Sequence, residues 1–160
     1  MAREIRIKPH HFIDILTAFG RGQTEFEPHP YGHAVHLVAR QLLEHPDTTL
    51  IIELGADDVC KPCRHNKGGL CDDAIDTSFR PQAPTSKREW NLIIDRRWCA
   101  RLNLSQGDRI TAKDFCARAL RCVDDLTDIY REEPPERSAK RAADLKAGIE
   151  KFLALPRGRD

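Results

Sequence analysis

The chain has 160 residues, enough for one domain that buries about two-thirds or more of its unfolded surface, with no room for a second large one. Its 40% apolar and 32% charged content excludes wholesale disorder, and 26 basic against 25 acidic side chains leave +1, which excludes a bulk field for nucleic acid or an anionic membrane. Six cysteines are too many for a chain that uses them only as small core residues and too few for a disulfide-dense scaffold.

Arg3 to Lys8 alternates charged and apolar residues, which predicts a half-buried strand ended by Pro9. Phe12, Ile15, Leu16 and Phe19 recur at helical spacing over His10 to Phe19, with Gly20 as the C-cap. A loop runs to Pro30, and a second helix is expected over Tyr31 to Glu44, stopped by His45-Pro46. Thr48 to Leu54 reads as a buried strand. Ala56 to Pro84, about 29 residues, has no sustained period and collects glycines, prolines and three cysteines, so something must hold it. Ser86, with Glu89 three residues on, predicts a capped helix to about Leu102. Asn103 to Asp108 is a turn. Thr111 caps a helix whose apolar face is Phe115, Ala119, Val123, Leu126 and Tyr130. Pro134-Pro135 breaks it, and Ser138 to Leu155 is a last helix with Ala142, Leu145, Ile149, Phe152 and Leu153 on one stripe; Arg157 to Asp160 should fray. The expected architecture is α+β and mostly helical: two short strands, about five helices and a long cysteine-rich loop pinned by metal. Residues 1–130 would form the metal-binding domain, and 131–160 a helical extension packed on it.

Met1 to Pro9 lacks the apolar run of a signal peptide, and no window approaches the length of a membrane span, the longest apolar runs being Leu50-Ile51-Ile52 and Leu92-Ile93-Ile94. Both points predict a cytoplasmic protein, where close cysteine pairs serve as metal ligands or redox thiols more often than as disulfides.

Cys60, Cys63 and Cys71 stand at C-x2-C-x7-C. A two-residue gap turns tightly enough to put two sulfurs on one side, Pro62 stiffens that turn, and Gly68-Gly69 lets the chain return to deliver Cys71. Lys61, Arg64 and Lys67 would add positive charge near thiolates. Packed loop cysteines and a redox-active pair are the alternatives, the latter disfavoured because Gly-Ala-Asp-Asp separates the pair from the strand. Three thiolates need a fourth ligand or leave an open position. The candidates are His65, Cys99, Cys116, Cys122, and the group His10, His11 and Asp14 at the start of the first helix, where imidazole and carboxylate share one side. Cys116 and Cys122 lie roughly 120° apart on their helix, poor geometry for joint ligation. His29, His33 and His36 share a helical face at four and three, a weak metal pattern.

Arg6-Ile7-Lys8-Pro9-His10-His11-Phe12, then Gly55-Ala56-Asp57-Asp58-Val59-Cys60-Lys61-Pro62-Cys63 to Gly69-Leu70-Cys71, then Asp95 and Leu104-Ser105-Gln106-Gly107-Asp108, resemble the domain-of-unknown-function family numbered 1284, small prokaryotic proteins described as iron-sulphur binders. The resemblance covers roughly Arg3 to Leu120. It implies an iron-sulphur cluster, such as a 4Fe-4S unit, on Cys60, Cys63 and Cys71, and no established reaction. Family members tend to carry a cysteine where this chain has Asp14, so Asp14 or His11 would substitute as ligand.

The expected function is a small metal-binding protein holding an iron-sulphur cluster in a redox, sensing or structural role, with an unidentified redox or protein partner and neither nucleic acid nor membrane. The alternatives are a structural zinc module that positions a partner-binding surface, and a metal-dependent enzyme using His10 and His11 beside an open coordination position.

Overall fold

A computed structural model describes residues 3–158; the expected frayed tail reaches Arg159 and Asp160, which lie outside them. Strand β1 (Glu4–Ile7) leads into α1 (Pro9–Gly20), then α2 (Val35–Glu44) and β2 (Thr49–Ile52). A hairpin of β3 (Asn66–Lys67) and β4 (Leu70–Cys71) precedes α3 (Lys87–Leu102), β5 (Arg109–Thr111), α4 (Ala112–Leu120) and α5 (Pro135–Leu153). The result is the expected mostly helical α+β fold with small sheets.

The alternation in β1 buries Ile5 and Ile7. β2 runs parallel to it, with Ile5 opposite Leu50 and Ile7 opposite Ile52, and β5 pairs antiparallel on the other side of β2. β5 was not expected; Arg109 to Thr111 is too short to show a period and reads as the turn before Thr111, which does cap α4 through its hydroxyl to the Asp114 N–H. Ser86 likewise caps α3 by accepting from the Glu89 N–H.

α1 is buried on most of its faces, and its Phe12 meets Phe115 at 5.0 Å and Phe152 at 5.5 Å between ring centres. One core therefore joins the last helix to the rest. α5 crosses α1 with the backbones almost in contact. A Cβ on Gly148 would collide with the Leu16 carbonyl, and one on Gly20 with the Asp144 carbonyl. Gly20 is thus the last residue of α1, kept small by the crossing, and not the C-cap that its position suggests.

Three helix limits differ from expectation. α2 begins at Val35 because Gly32 takes a left-handed φ of 75° and breaks the turn before it. α4 stops at Leu120: Arg101 holds the carbonyls of Cys122 and Asp125, and the Asp125 side chain takes the Thr127 N–H at 2.9 Å, so Val123, Leu126 and Tyr130 are buried without being helical. α5 begins at Pro135, whose ring suits the first turn of a helix.

The cysteine-rich stretch is ordered by protein bonds. Asp58 pairs with Arg6 through two hydrogen bonds along the free edge of β1, Ala34 N–H reaches the Val59 carbonyl, and Arg64 N–H the Tyr31 carbonyl. Further on, Ile75 N–H bonds Thr85 O, Lys87 N–H bonds Asp73 O, and the Lys87 ammonium meets Asp73 at 3.1 Å.

Alanine is a better helix former than glycine by about 1 kcal/mol, so Gly148→Ala in an open helix would stabilise. Here the close crossing makes the opposite outcome the expected one: a loss of about 1–3 kcal/mol, read from the urea midpoint at unchanged slope. A neutral or stabilising result would mean that the two helices are not in contact at this point.

Candidate metal centre

The N-terminus of α1 has neither a capping side chain nor an acid in its first turn, and Pro9 occupies its first position. Its free N–H groups are met by two carboxylates from far along the chain. Asp95, on α3 and fully buried, accepts the His10 N–H at 2.8 Å and lies 2.8 Å from His10 Nδ1. Asp57, also fully buried, accepts the Lys8 N–H at 2.7 Å and lies 2.6 Å from His11 Nδ1. Its other oxygen accepts the Cys60 N–H at 3.0 Å, so the same carboxylate caps the turn that carries the first cysteine. Burial alone would raise the Asp57 pKa, but His11 and the N–H groups of Lys8 and Cys60 outweigh it and hold this carboxyl well below the usual range. As Asp57 is ionised, His11 Nδ1 carries the proton and neutral His11 keeps its Nε2 lone pair free, the arrangement found in metal-bound histidines.

The cysteine turn follows. Cys63 N–H bonds the Cys60 carbonyl and Asn66 N–H the Cys63 carbonyl. Gly68 and Gly69, at φ 62° and 88°, close a two-residue hairpin of the kind that needs left-handed residues, and Asn66 faces Cys71 across it. Cys60, Cys63 and Cys71 consequently line one cleft of about 160 Å³, with Leu54, Leu70 and Leu92 as its apolar wall. All six cysteines are free thiols. Burial, then the charge of Asp57, push the Cys60 thiol up to about 11, so without metal Cys60 is a neutral thiol at ordinary pH.

Donor atoms of His11, Asp57 and Cys60 lie within 4.8 Å of one another, the one such group among the described residues. Of the expected fourth ligands, His11 is therefore brought to Cys60. Asp14 is not: it is exposed and lines a separate cleft with His10, Arg80, Tyr130, Glu133 and Arg141, because it lies one helical turn beyond His10 on the same side of α1. His65 is turned to Asp72, at 2.8 Å from Nδ1. Cys99 and Cys116 are buried away from the cleft, Cys99 pushed up to about 11 by burial and the charges of Asp95 and Asp108, Cys116 pushed well up by burial alone. Cys122 donates to the Arg118 carbonyl at 3.7 Å. Nor do His29, His33 and His36 share a helical face: α2 starts after His33, and the His29 and His33 rings stack at 4.4 Å in the preceding turn.

The positive charge near the thiols also comes from unexpected residues. Lys61 pairs with Asp58 at 3.2 Å, Arg64 lies over the Tyr31 ring and Lys67 is exposed, whereas Lys8 and Arg88 line the cleft. Asp57 is the functional residue that sequence reasoning did not single out, and its signal was its place three residues before Cys60, the spacing of a side chain that caps a turn. Comparison with protein-family models, with curated proteins and with solved structures gives no match.

The thiols should differ in reactivity. In metal-free native protein treated with iodoacetamide at about pH 8, Cys63 and Cys71 should be alkylated first, Cys60 and Cys99 more slowly and Cys116 last, as read by peptide mass spectrometry. Cys60 reacting as fast as Cys63 would contradict its burial against Asp57.

Proposed function

We propose that the chain is a metal-binding protein whose centre is an iron-sulphur cluster held by Cys60, Cys63 and Cys71, in keeping with its resemblance to the iron-sulphur binding family numbered 1284. The observation that carries this reading is the convergence of the three thiols on one cleft from two directions, the turn at Cys60–Cys63 and the hairpin strand at Cys71. The donor set fits: no disulfide consumes a thiol, no acid lines the cleft, and two cations there offset thiolate charge. Bound there, such a cluster supplies one-electron transfer or sensing. The chain's own part is to gather the thiols, to keep Asp57 ionised behind Cys60, and to present His11 as a further ligand with its ring fixed by Asp57. No helix among the described residues is long and apolar enough to cross a membrane. We place the protein in the cytoplasm, with a redox or protein partner.

The compact grouping of His11, Asp57 and Cys60 favours a second reading, a single zinc ion on mixed nitrogen, oxygen and sulfur donors.

Anaerobic purification followed by visible absorption and by iron, sulfide and zinc analysis separates the two. A coloured protein with iron and sulfide is expected; a colourless one with one equivalent of zinc and no sulfide would sink the cluster. Serine in place of Cys60, Cys63 or Cys71 should each lose metal, Asp57→Asn should loosen it about 10–100-fold, and Asp14→Ala should retain it.

A further inference from the structure

The cleft that the cysteines line carries features besides its thiols. Lys8 follows β1 and is 5% exposed, yet its ammonium has no hydrogen-bond or ion-pair partner among the described residues; only its backbone N–H is engaged, by Asp57. An ammonium at the wall of a cleft with no counter-charge of its own is a group that an anion in the cleft would pair with. Arg88, exposed on the first turn of α3, lines the same cleft and likewise pairs with nothing among the described residues. No acidic side chain lines the cleft to answer either cation. The nearby carboxylates are engaged elsewhere: Asp57 with Lys8 N–H, His11 and Cys60, Asp58 with Arg6 N–H and Lys61, Glu53 with Arg6 and Gln106. The same cleft is lined by Leu54, Leu92 and Leu70, and Leu70, 53% exposed at the hairpin, is one of two large apolar side chains left in water among the described residues. The cleft is thus lined by both cationic and apolar groups, and at about 160 Å³ it holds more than a single water.

We propose that this cleft is a binding site for a small organic carboxylate, whose charged end is held by Lys8 and Arg88 and whose apolar part lies on Leu54, Leu70 and Leu92, beside the three thiols. The site stands whichever metal the cysteines hold.

The test is calorimetric titration of the full chain as purified anaerobically, with metal content measured on the same sample. The probes are acetate, butyrate, hexanoate, benzoate, uncharged hexanamide and inorganic phosphate. Hexanoate or benzoate should bind at least about tenfold more tightly than acetate, for the added apolar area, and than hexanamide, for the lost charge. Lys8→Met should weaken hexanoate about tenfold and Arg88→Gln severalfold, while Leu70→Ser should narrow the gap between hexanoate and acetate. Arg88 and Leu70 are exposed, so their variants report even if Lys8→Met fails to fold. Equal binding of hexanoate and hexanamide, binding of phosphate without any organic acid, no binding at all, or affinity unchanged in Arg88→Gln would overturn the proposal. Hexanoate bound by a sample without metal would leave this site standing and remove the metal centre.

Discussion

Two carboxylates buried under the first turn of α1 carry the architecture around the site. Taking an ionised carboxylate out of water costs several kcal/mol, and a bare pair of charges seldom recovers that. Asp57 recovers it because three groups donate to it, Lys8 N–H, His11 and Cys60 N–H, each such bond to a charged group contributing about 1.5–3 kcal/mol. Asp95 receives the His10 N–H and His10 Nδ1. Both also lie at the positive end of a helix with no acid in its first turn, which adds up to about 2 kcal/mol in a buried setting. The bonds do more than balance the desolvation. Asp57 fastens the cysteine turn to the junction of β1 and α1, and Asp95 fastens α3 to the same helix end.

Because the two histidines are adjacent on a helix, their side chains leave the axis about 100° apart, and each carboxylate then fixes one of them. The same dipeptide therefore faces two groups of residues of different chemistry. His11 joins Asp57 and Cys60; His10 lines a cleft with Asp14, Tyr130 and a group of arginines around Glu133. For His10, burial pushes the imidazole down, but the charge of Asp95 and the bond to it prevail, so it sits above its ordinary value. The two rings stand 4.3 Å apart.

Much of this was legible in the chain. The helical spacing in α1 and α5, the caps at Ser86 and Thr111, and the return of the chain at Gly68-Gly69 are local signals, and local signals survive folding. What was not legible is tertiary. Val123, Leu126 and Tyr130 continue the apolar stripe of α4, yet Arg101 captures the carbonyls that a continuing helix would use. Gly20 looks like a helix stop because the partner that requires it small, Gly148, lies 128 positions further along the chain. The cysteine stretch looks unsupported because its supports are backbone groups of β1, residues 31–34 and α3, which no side-chain pattern announces. Asp14 and His11 share a helical side in projection, but the choice between His10 and His11 as Asp14's companion depends on which distant carboxylate holds each histidine.

Lys8 shows why near-zero net charge conceals information. On the alternation of Glu4, Arg6 and Lys8 it belongs with the polar face of β1, and the first two are indeed exposed. The strand ends at Ile7, however, and Pro9 starts a helix at once, so the backbone turns at Lys8 and the third member of the series is carried inside. Elsewhere the chain answers each buried charge with its own groups: Asp57 and Asp95 by N–H donors and imidazoles, and Glu133, whose side chain is 1% exposed, by Arg80, Arg137 and Arg141. A chain that pairs its buried carboxylates so fully has left the Lys8 ammonium without a partner among the described residues, in the wall of the cleft that three thiols line. The charge missing from that cleft is negative, and thiolates on a metal and the carboxylate of a bound organic acid both supply it.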